Sequence, residues 1–145
     1  MIKQIKMITF DLDDTLWDNV PTITRAEIDT RQWIEERVGK VSWGDFNDFI
    51  NLRDDLIKED ASIEWDISKL RKEIFRIKLD HIKPSSLRDK IVDEAFSVFM
   101  NKRHEILLFD GVADALKALS EKYILGVLTL SLIHISEPTR LRRIS

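Results

Sequence analysis

Hydrophobic and polar positions follow different patterns in successive parts of the chain. At the start, the run IKMITF (5–10) is rich in residues that favour strands and ends at an acid, which predicts a short buried strand. From about residue 22 to residue 104, apolar residues recur at helical spacing, which predicts a block made only of helices. Two sets show that spacing: Ile67, Leu70, Ile74 and Ile77, and Leu87, Ile91, Ala95 and Val98.

The breaks between the predicted helices carry glycine, proline and small polar residues. VGK (38–40) and SWG (42–44) predict a break in the first half of the block. PSS (84–86) separates the last two helices, and Ser85 or Ser86 is predicted to cap the second of them. The aromatic residues of the block are predicted to form mainly its core: Trp33, Trp43, Trp65, Phe46, Phe49, Phe96 and Phe99.

After residue 104 the pattern changes to one helix followed by one strand. Asp110 is predicted to cap a helix that carries Val112, Leu116 and Leu119 on one face. YILGVLT (123–129) predicts a second buried strand. The whole order therefore predicts an α/β fold with an all-helical insertion after its first strand.

Composition narrows the class of protein. The 145 residues are 43% hydrophobic and 34% charged, as in a globular protein with one core or part of a larger one. No apolar run approaches the roughly 18 residues of a membrane span, and the start lacks a secretory signal, so a cytoplasmic protein without a membrane partner is expected. The absence of cysteine excludes disulfides and thiolate metal sites. A net charge of -3, with interspersed basic residues, argues against nucleic acid as a partner.

The acids behind the first strand are the main candidates for chemistry. In an open parallel sheet, ligands bind beyond the carboxyl ends of the strands, where Asp11 and Asp13 are expected. Either an extended backbone or a tight turn brings these two carboxylates together. Close carboxylates repel each other unless a cation lies between them, and oxygen ligands with a substrate phosphate suit Mg²⁺. The alternative is that the acids only cap the loop and the helix, and Asp14 is interpreted in that way.

These residues resemble a known family. FDLDDTL (10–16) resembles the first motif of the haloacid dehalogenase superfamily. The helical insert is similar in size to the cap of the subfamily whose cap lies between the first two motifs, and DGVADALKALSEKYILGVLT (110–129) resembles the approach to the second motif. The resemblance, which covers residues 5–129, implies a Rossmann-like α/β core with an inserted helical cap.

The resemblance also implies domain boundaries and a truncation. Residues 1–18 and 107–129 would form the two parts of the core, and residues 19–106 would form the cap. LSLIHISEPTR, at the start of residues 130–145, resembles the translation of an adapter used in transposon-based sequencing libraries, so this tail is predicted to be non-native. Because the family's third-motif lysine and fourth-motif acids follow the second motif, the chain is expected to be a truncated core that folds poorly and lacks useful activity.

The resemblance implies an Mg²⁺-dependent phosphatase that acts on a small phosphorylated metabolite. Asp11 would be the nucleophile that forms an aspartyl-phosphate, and Asp13 would be the general acid and base. The Asp11 carboxylate and the backbone carbonyl of Asp13 would hold Mg²⁺. Thr15 would stabilise the loop, and Leu12 and Thr129 would bind the phosphate.

Within the family, the substrate remains open. TFDLDDTLWDN (9–19) and LRKEIFRIKL (70–79) are most similar to bacterial members that dephosphorylate flavin mononucleotide or a phosphorylated ribitylaminouracil intermediate of riboflavin synthesis. One alternative is a dehalogenase that uses the same nucleophile to attack carbon, although a halide leaving group gives Asp13 no acid role. The other alternative is a non-catalytic helical binding module with an incidental acidic loop.

Overall fold

The computed structural model describes residues 5–128 of the chain. Their elements follow the order β1 (Met7–Phe10), α1 (Asn19–Val38), α2 (Phe46–Glu59), α3 (Ile67–Lys78), α4 (Ser85–Arg103), α5 (Val112–Ser120) and β2 (Ile124–Val127). A 3-10 turn (Ala61–Glu64) lies between α2 and α3. The predicted α/β fold with an all-helical block after its first strand is confirmed.

The two strands form a parallel pair. Met7 lies opposite Ile124, and Phe10 lies opposite Val127. Beyond this register, the amide of Leu128 donates to the carbonyl of Phe10 over 2.9 Å. The carboxyl ends of both strands therefore meet at one edge of the sheet, where ligands bind in folds of this type.

The chain divides into two compact units. Among the described residues, 22–105 form the helical unit, and 5–21 together with 106–128 form the strand unit. The first residues of α1 belong to the strand unit, and the rest of that helix belongs to the helical unit. The boundaries predicted from the sequence for an inserted domain stay a prediction. In the part of the chain that is described, no helix combines the length and the apolar character needed to span a membrane.

Two apolar clusters form the core of the helical unit. The main cluster joins α1, α3 and α4 through Ile34, Phe75, Leu79, Ile91, Val92 and Ala95. A smaller cluster joins α2, the 3-10 turn and α3 through Leu56, Ile63, Leu70 and Ile74. The helices predicted from the apolar spacing in these segments are confirmed. Of the recurring apolar positions, Leu70, Ile74, Ile91 and Ala95 are buried, whereas Ile67, Ile77 and Leu87, which lie near the ends of α3 and α4, are exposed.

The prediction of an aromatic core is correct only in part. Those aromatic residues that are buried or pack against a cluster are Trp33, Trp43, Phe49 and Phe99. The prediction is wrong for Phe46 and Trp65, whose exposed fractions are 74% and 70%. Phe46 is the first residue of α2, and Trp65 follows the 3-10 turn. Both lie at the ends of elements, where fewer neighbouring turns are available to cover a large ring.

The start of α4 differs from the prediction. Pro84 is the N-cap residue, with φ −71° and ψ 165°, and no side chain caps the helix. The prediction of a serine cap is wrong, because Ser85 and Ser86 already lie inside the helix. Proline has a fixed φ and no amide hydrogen, so it occupies this position without leaving a donor unsatisfied.

The start of α5 also differs from the prediction. Gly111, and not Asp110, is the N-cap residue, and it makes no side-chain cap bond. Its φ of 80° lies in the left-handed region, which glycine enters without a steric penalty. The helix therefore begins one residue later than a cap at Asp110 requires. The predicted face of Val112, Leu116 and Leu119 does lie on this helix.

Candidate active site

The acids predicted to carry the chemistry lie in the strand unit, in the loop between β1 and α1. β1 ends at Phe10, and Asp11 follows it directly. The amide of Leu12 donates to Oδ1 of Asp11 over 2.8 Å, which orients the carboxylate. The structure therefore places Asp11 at the carboxyl end of a parallel strand, at the edge that the sequence indicates.

The backbone turns tightly after Asp11. The amides of Thr15 and Leu16 both donate to the carbonyl of Leu12, over 3.2 Å and 2.9 Å. Asp13 forms an isolated bridge with Trp17 across this turn. Of the two conformations that the sequence left open, the structure thus shows the tight turn.

Two further acids lie where α1 begins. Oδ1 of Asp14 accepts a hydrogen bond from the amide of Asn19 over 2.9 Å, and Oδ1 of Asp18 accepts one from the amide of Val20 over 3.0 Å. The first amides of a helix have no partner within the helix, and negative charge is favourable beside them. The interpretation of Asp14 as a loop acid close to a first helical turn agrees with this position.

The segment that precedes α5 forms backbone contacts with the same loop. The amide of Phe109 donates to the carbonyl of Leu16 over 2.9 Å. Next to this bond, Trp17 forms an antiparallel bridge with Leu108. The loop that carries Asp11 is therefore fixed by backbone hydrogen bonds to a second segment of the strand unit.

The remaining predicted site residues have different outcomes. Thr129 lies outside the described residues, so its role in binding phosphate stays a prediction. Thr15 contributes its amide to the turn by donating to the carbonyl of Leu12. The amide of Leu12 donates to the Asp11 carboxylate. The predicted roles of Thr15 and Leu12 are untested by these contacts.

The oxygen atoms of the loop suit a magnesium ion only as part of a larger ligand set. Mg²⁺ prefers carboxylate and carbonyl oxygens, and it is often held by one or two carboxylates together with water and a substrate phosphate. Within residues 5–128, no group of three acidic or histidine side chains comes together that could hold a metal. The oxygens of Asp11 and Asp13 are of the kind that Mg²⁺ takes, and magnesium binding at this loop stays a prediction.

The helical unit contains a charged cluster that sequence reasoning missed. One oxygen of Glu27 pairs with Nε of Arg31 over 3.0 Å, and the other oxygen pairs with Arg71. The Arg71 guanidinium lies 3.6 Å from the centre of the Phe99 ring. Burial lowers the pKa of Arg71, and the nearby Glu27 carboxylate opposes that shift. Only the i,i+4 spacing of Glu27 and Arg31 was visible in the sequence.

Comparison with known proteins identifies relatives of the chain. A family model described as haloacid dehalogenase-like hydrolase matches residues 5–143. The crystal structure of a 2-haloacid dehalogenase from Pseudomonas syringae pv. tomato DC3000 is 36% identical in sequence, with a TM-score of 0.72. The match covers 87% of this chain and 55% of that protein, so the chain spans about half the length of that relative. No curated protein matches the chain significantly.

The range of the family match includes most of the segment 130–145, which the sequence predicts to be non-native. The family model extends over residues 130–143, which belong to the segment predicted to be non-native. Residues 130–145 lie outside the described part of the structure. The prediction of a foreign origin for this segment, and the narrower likeness to riboflavin-pathway phosphatases, are therefore not confirmed.

Proposed function

Because the chain belongs to the family of haloacid dehalogenase-like hydrolases, we propose that it is a phosphatase in which Asp11 attacks phosphorus. The observation that carries the proposal is the second acid, Asp13, on the same tight turn at the carboxyl end of β1. An alkoxide leaving group needs a proton as its bond to phosphorus breaks, and a positioned carboxylic acid supplies one. A halide leaving group needs none.

The reaction proceeds in two steps on the strand unit. A carboxylate oxygen of Asp11 forms a bond to phosphorus while the bond from phosphorus to the substrate oxygen breaks, and Asp13 gives its proton to that oxygen. Asp13 then takes a proton from water, which attacks phosphorus and releases Asp11. Before a phosphate binds, the amide of Leu12 orients the Asp11 carboxylate by donating to its Oδ1.

The charge of the phosphoryl group calls for a cation. We assign the Asp11 carboxylate and the backbone carbonyl of Asp13 as the protein ligands of Mg²⁺, which supplies positive charge beside the transferring group when it is bound. Leu12 and Thr129 are assigned to the phosphate oxygens, and Thr15 is assigned to the support of the loop. These assignments rest on the resemblance of FDLDDTL to the first motif of the family.

The substrate class is a small phosphorylated metabolite. Within that class, flavin mononucleotide and the phosphorylated ribitylaminouracil intermediate are the first compounds to test, because TFDLDDTLWDN (9–19) resembles phosphatases of that kind. The net charge of -3 argues against a polyanionic partner such as nucleic acid.

A second candidate function is dehalogenation. The observation that favours it is the 36% identity with a protein described as a 2-haloacid dehalogenase. In that reaction the Asp11 carboxylate would attack carbon and expel a halide. Both functions therefore use Asp11 as the nucleophile, and only the role of Asp13 distinguishes them.

The experiment compares both reactions in the full-length protein, which here means a protein as long as the relative of which this chain spans about half. Phosphate release from an aryl phosphate and chloride release from 2-chloropropionate are measured with Mg²⁺ and with a chelator. We expect phosphate release that requires Mg²⁺, and a fall of at least about a thousandfold in Asp11→Asn. Asp114→Asn, which changes an exposed acid in the first turn of α5, serves as the matched control and keeps its activity.

Two outcomes contradict the proposal. Chloride release without phosphate release assigns the dehalogenase reaction to the site. Equal phosphatase activity of Asp11→Asn and the unchanged protein removes Asp11 as the nucleophile.

A further inference from the structure

Asp14 follows the proposed acid Asp13 within the same tight turn, and the two catalytic steps do not use it. We propose that Asp14 is a positioning residue, which fixes the backbone of Asp13 against the beginning of α1. The inference rests on the proposed function, because Asp13 must have a chemical role for its position to matter.

The backbone of Asp14 is the first observation. Its φ is 59°, and it is the one residue other than glycine with a positive φ in the described part of the chain. Aspartate tolerates this left-handed conformation better than most residues, because its short polar side chain finds a local partner. The amide of Asp14 donates to the carbonyl of Trp17 over 2.9 Å, so the conformation closes the turn directly behind Asp13.

The side chain of Asp14 is the second observation. Its Oδ1 accepts the amide hydrogen of Asn19, the first residue of α1, five positions further along the chain. Both the amide and the carboxylate of one residue are thus bonded within a single short segment. Because Asp13 and Asp14 share a peptide bond, any movement of Asp14 moves the backbone of the proposed acid.

Ordinary helix capping does not account for this geometry. Asp18 already accepts the amide hydrogen of Val20, as an N-cap residue does. Asp45, at the start of α2, shows the usual arrangement, with an extended backbone (φ −91°, ψ −172°) and a bond of 2.9 Å from the amide of Asp48. Asp14 differs from such a cap in its left-handed backbone and in the longer span of its bond.

The experiment uses three variants of the full-length protein. Asp14→Gly keeps access to the left-handed conformation and removes the carboxylate, whereas Asp14→Asn keeps an oxygen that can accept the Asn19 amide hydrogen. Asp45→Gly is the matched control, because it removes a cap bond of the same length in the helical unit. Phosphatase kcat and KM, thermal unfolding and hydrogen exchange of the Asn19 amide are measured for each.

The expected results separate positioning from stability. We expect Asp14→Gly to lose about tenfold to a hundredfold in kcat, as a misplaced catalytic group does, with KM changed by less than about twofold. Asp14→Asn should keep kcat within about threefold and should keep the Asn19 amide protected, since its side chain restores the bond. Asp45→Gly should lower the unfolding temperature and leave kcat unchanged.

Several results would overturn the inference. They are an unchanged kcat in Asp14→Gly, or an equal loss of kcat in Asp14→Asn and Asp14→Gly. If Asp14→Gly does not fold, two other results overturn the inference. One is fast hydrogen exchange of the Asn19 amide in the unchanged protein, and the other is a large loss of kcat in a folded Asp14→Asn. Phosphatase activity in Asp11→Asn would instead contradict the proposed function. If Asp11→Asn is inactive and Asp14→Gly is fully active, only the positioning role of Asp14 is contradicted.

Discussion

The helical unit and the strand unit differ in what they bury and in what they offer to a substrate. Every buried side chain of the described residues lies between positions 22 and 105, and Ile34, Leu79 and Val92 have no exposed surface. The candidate catalytic acids lie in the strand unit, where Ile124 and Val127 of β2 are 66% and 58% exposed. The buried side chains and the candidate catalytic acids therefore lie in different parts of the chain.

The two units are stabilised by different interactions. In the helical unit, apolar side chains from different helices pack together, and the removal of apolar surface from water is the main stabilising contribution. In the loop after β1, short-range hydrogen bonds such as those to the Leu12 carbonyl fix the backbone without burial. Substitutions in the helical unit should thus change stability, and substitutions in the loop should change activity.

The largest expected effect on stability tests the burial side of this comparison. Leu79→Ala removes a side chain with no exposed surface from the main cluster and should lower the free energy of unfolding by about 2–5 kcal/mol. Leu107→Ala, in the strand unit, removes a leucine that is 77% exposed and should change it by less than about 0.5 kcal/mol. Urea unfolding of the 145-residue chain measures both, and equal losses would show that the units do not differ in packing.

A smaller effect is expected from the charged cluster of the helical unit. Glu27→Gln leaves the Arg71 guanidinium, which is 20% exposed, without its carboxylate partner. The cost should be about 2 kcal/mol, between that of an exposed pair and that of a fully buried one. Asp54→Asn breaks the more exposed pair with Arg53 and serves as the control. A loss for Glu27→Gln no greater than for Asp54→Asn, in the same unfolding measurement, contradicts the role of the cluster.

The smallest effect concerns pH. Hydrogen bonds from Lys69 and Ser62 lower the pKa of Asp60 from its ordinary value of 3.8 to about 2. A carboxyl group whose pKa is lower in the folded state stabilises the fold above pH 3.8, and the stabilisation disappears as the pH falls towards 2. Because Asp60 is solvent-accessible, screening keeps the effect small.

The test of this pH effect compares Asp60→Asn with the unchanged chain. The unfolding temperature of Asp60→Asn should be lower at pH 7, and the two temperatures should converge by pH 2. A difference between them that stays constant over this range would show that the Lys69 partnership does not stabilise the helical unit.

Much of the fold could be predicted from the sequence because its elements have strong local patterns. Apolar positions at helical spacing located α3 and α4, and the β-prone runs located β1 and β2. The caps could not be predicted in the same way, because several small or polar residues near Pro84 and Gly111 compete for one position. The exposure of Trp65 also has no local pattern, since it depends on which elements lie beside the 3-10 turn.

The candidate site shows a similar division. The place of Asp11 follows from its position directly behind a strand, so the sequence was sufficient. The left-handed backbone of Asp14 and its bond to Asn19 depend on the geometry of the turn, which residue types alone do not determine. The pairing of Glu27 with Arg71 joins residues 44 positions apart and follows from helix packing rather than from any local motif.

The most direct test of the central claim is a search for the phosphoryl group on Asp11. Full-length protein and its Asp13→Asn variant are mixed with the aryl phosphate and Mg²⁺, stopped with acid, digested and examined by mass spectrometry. We predict a phosphoryl group on Asp11, in a larger fraction of the variant molecules, because water attack on the intermediate needs the base that Asp13 provides. Continued release of phosphate with no phosphoryl group on Asp11 in either protein would contradict the account.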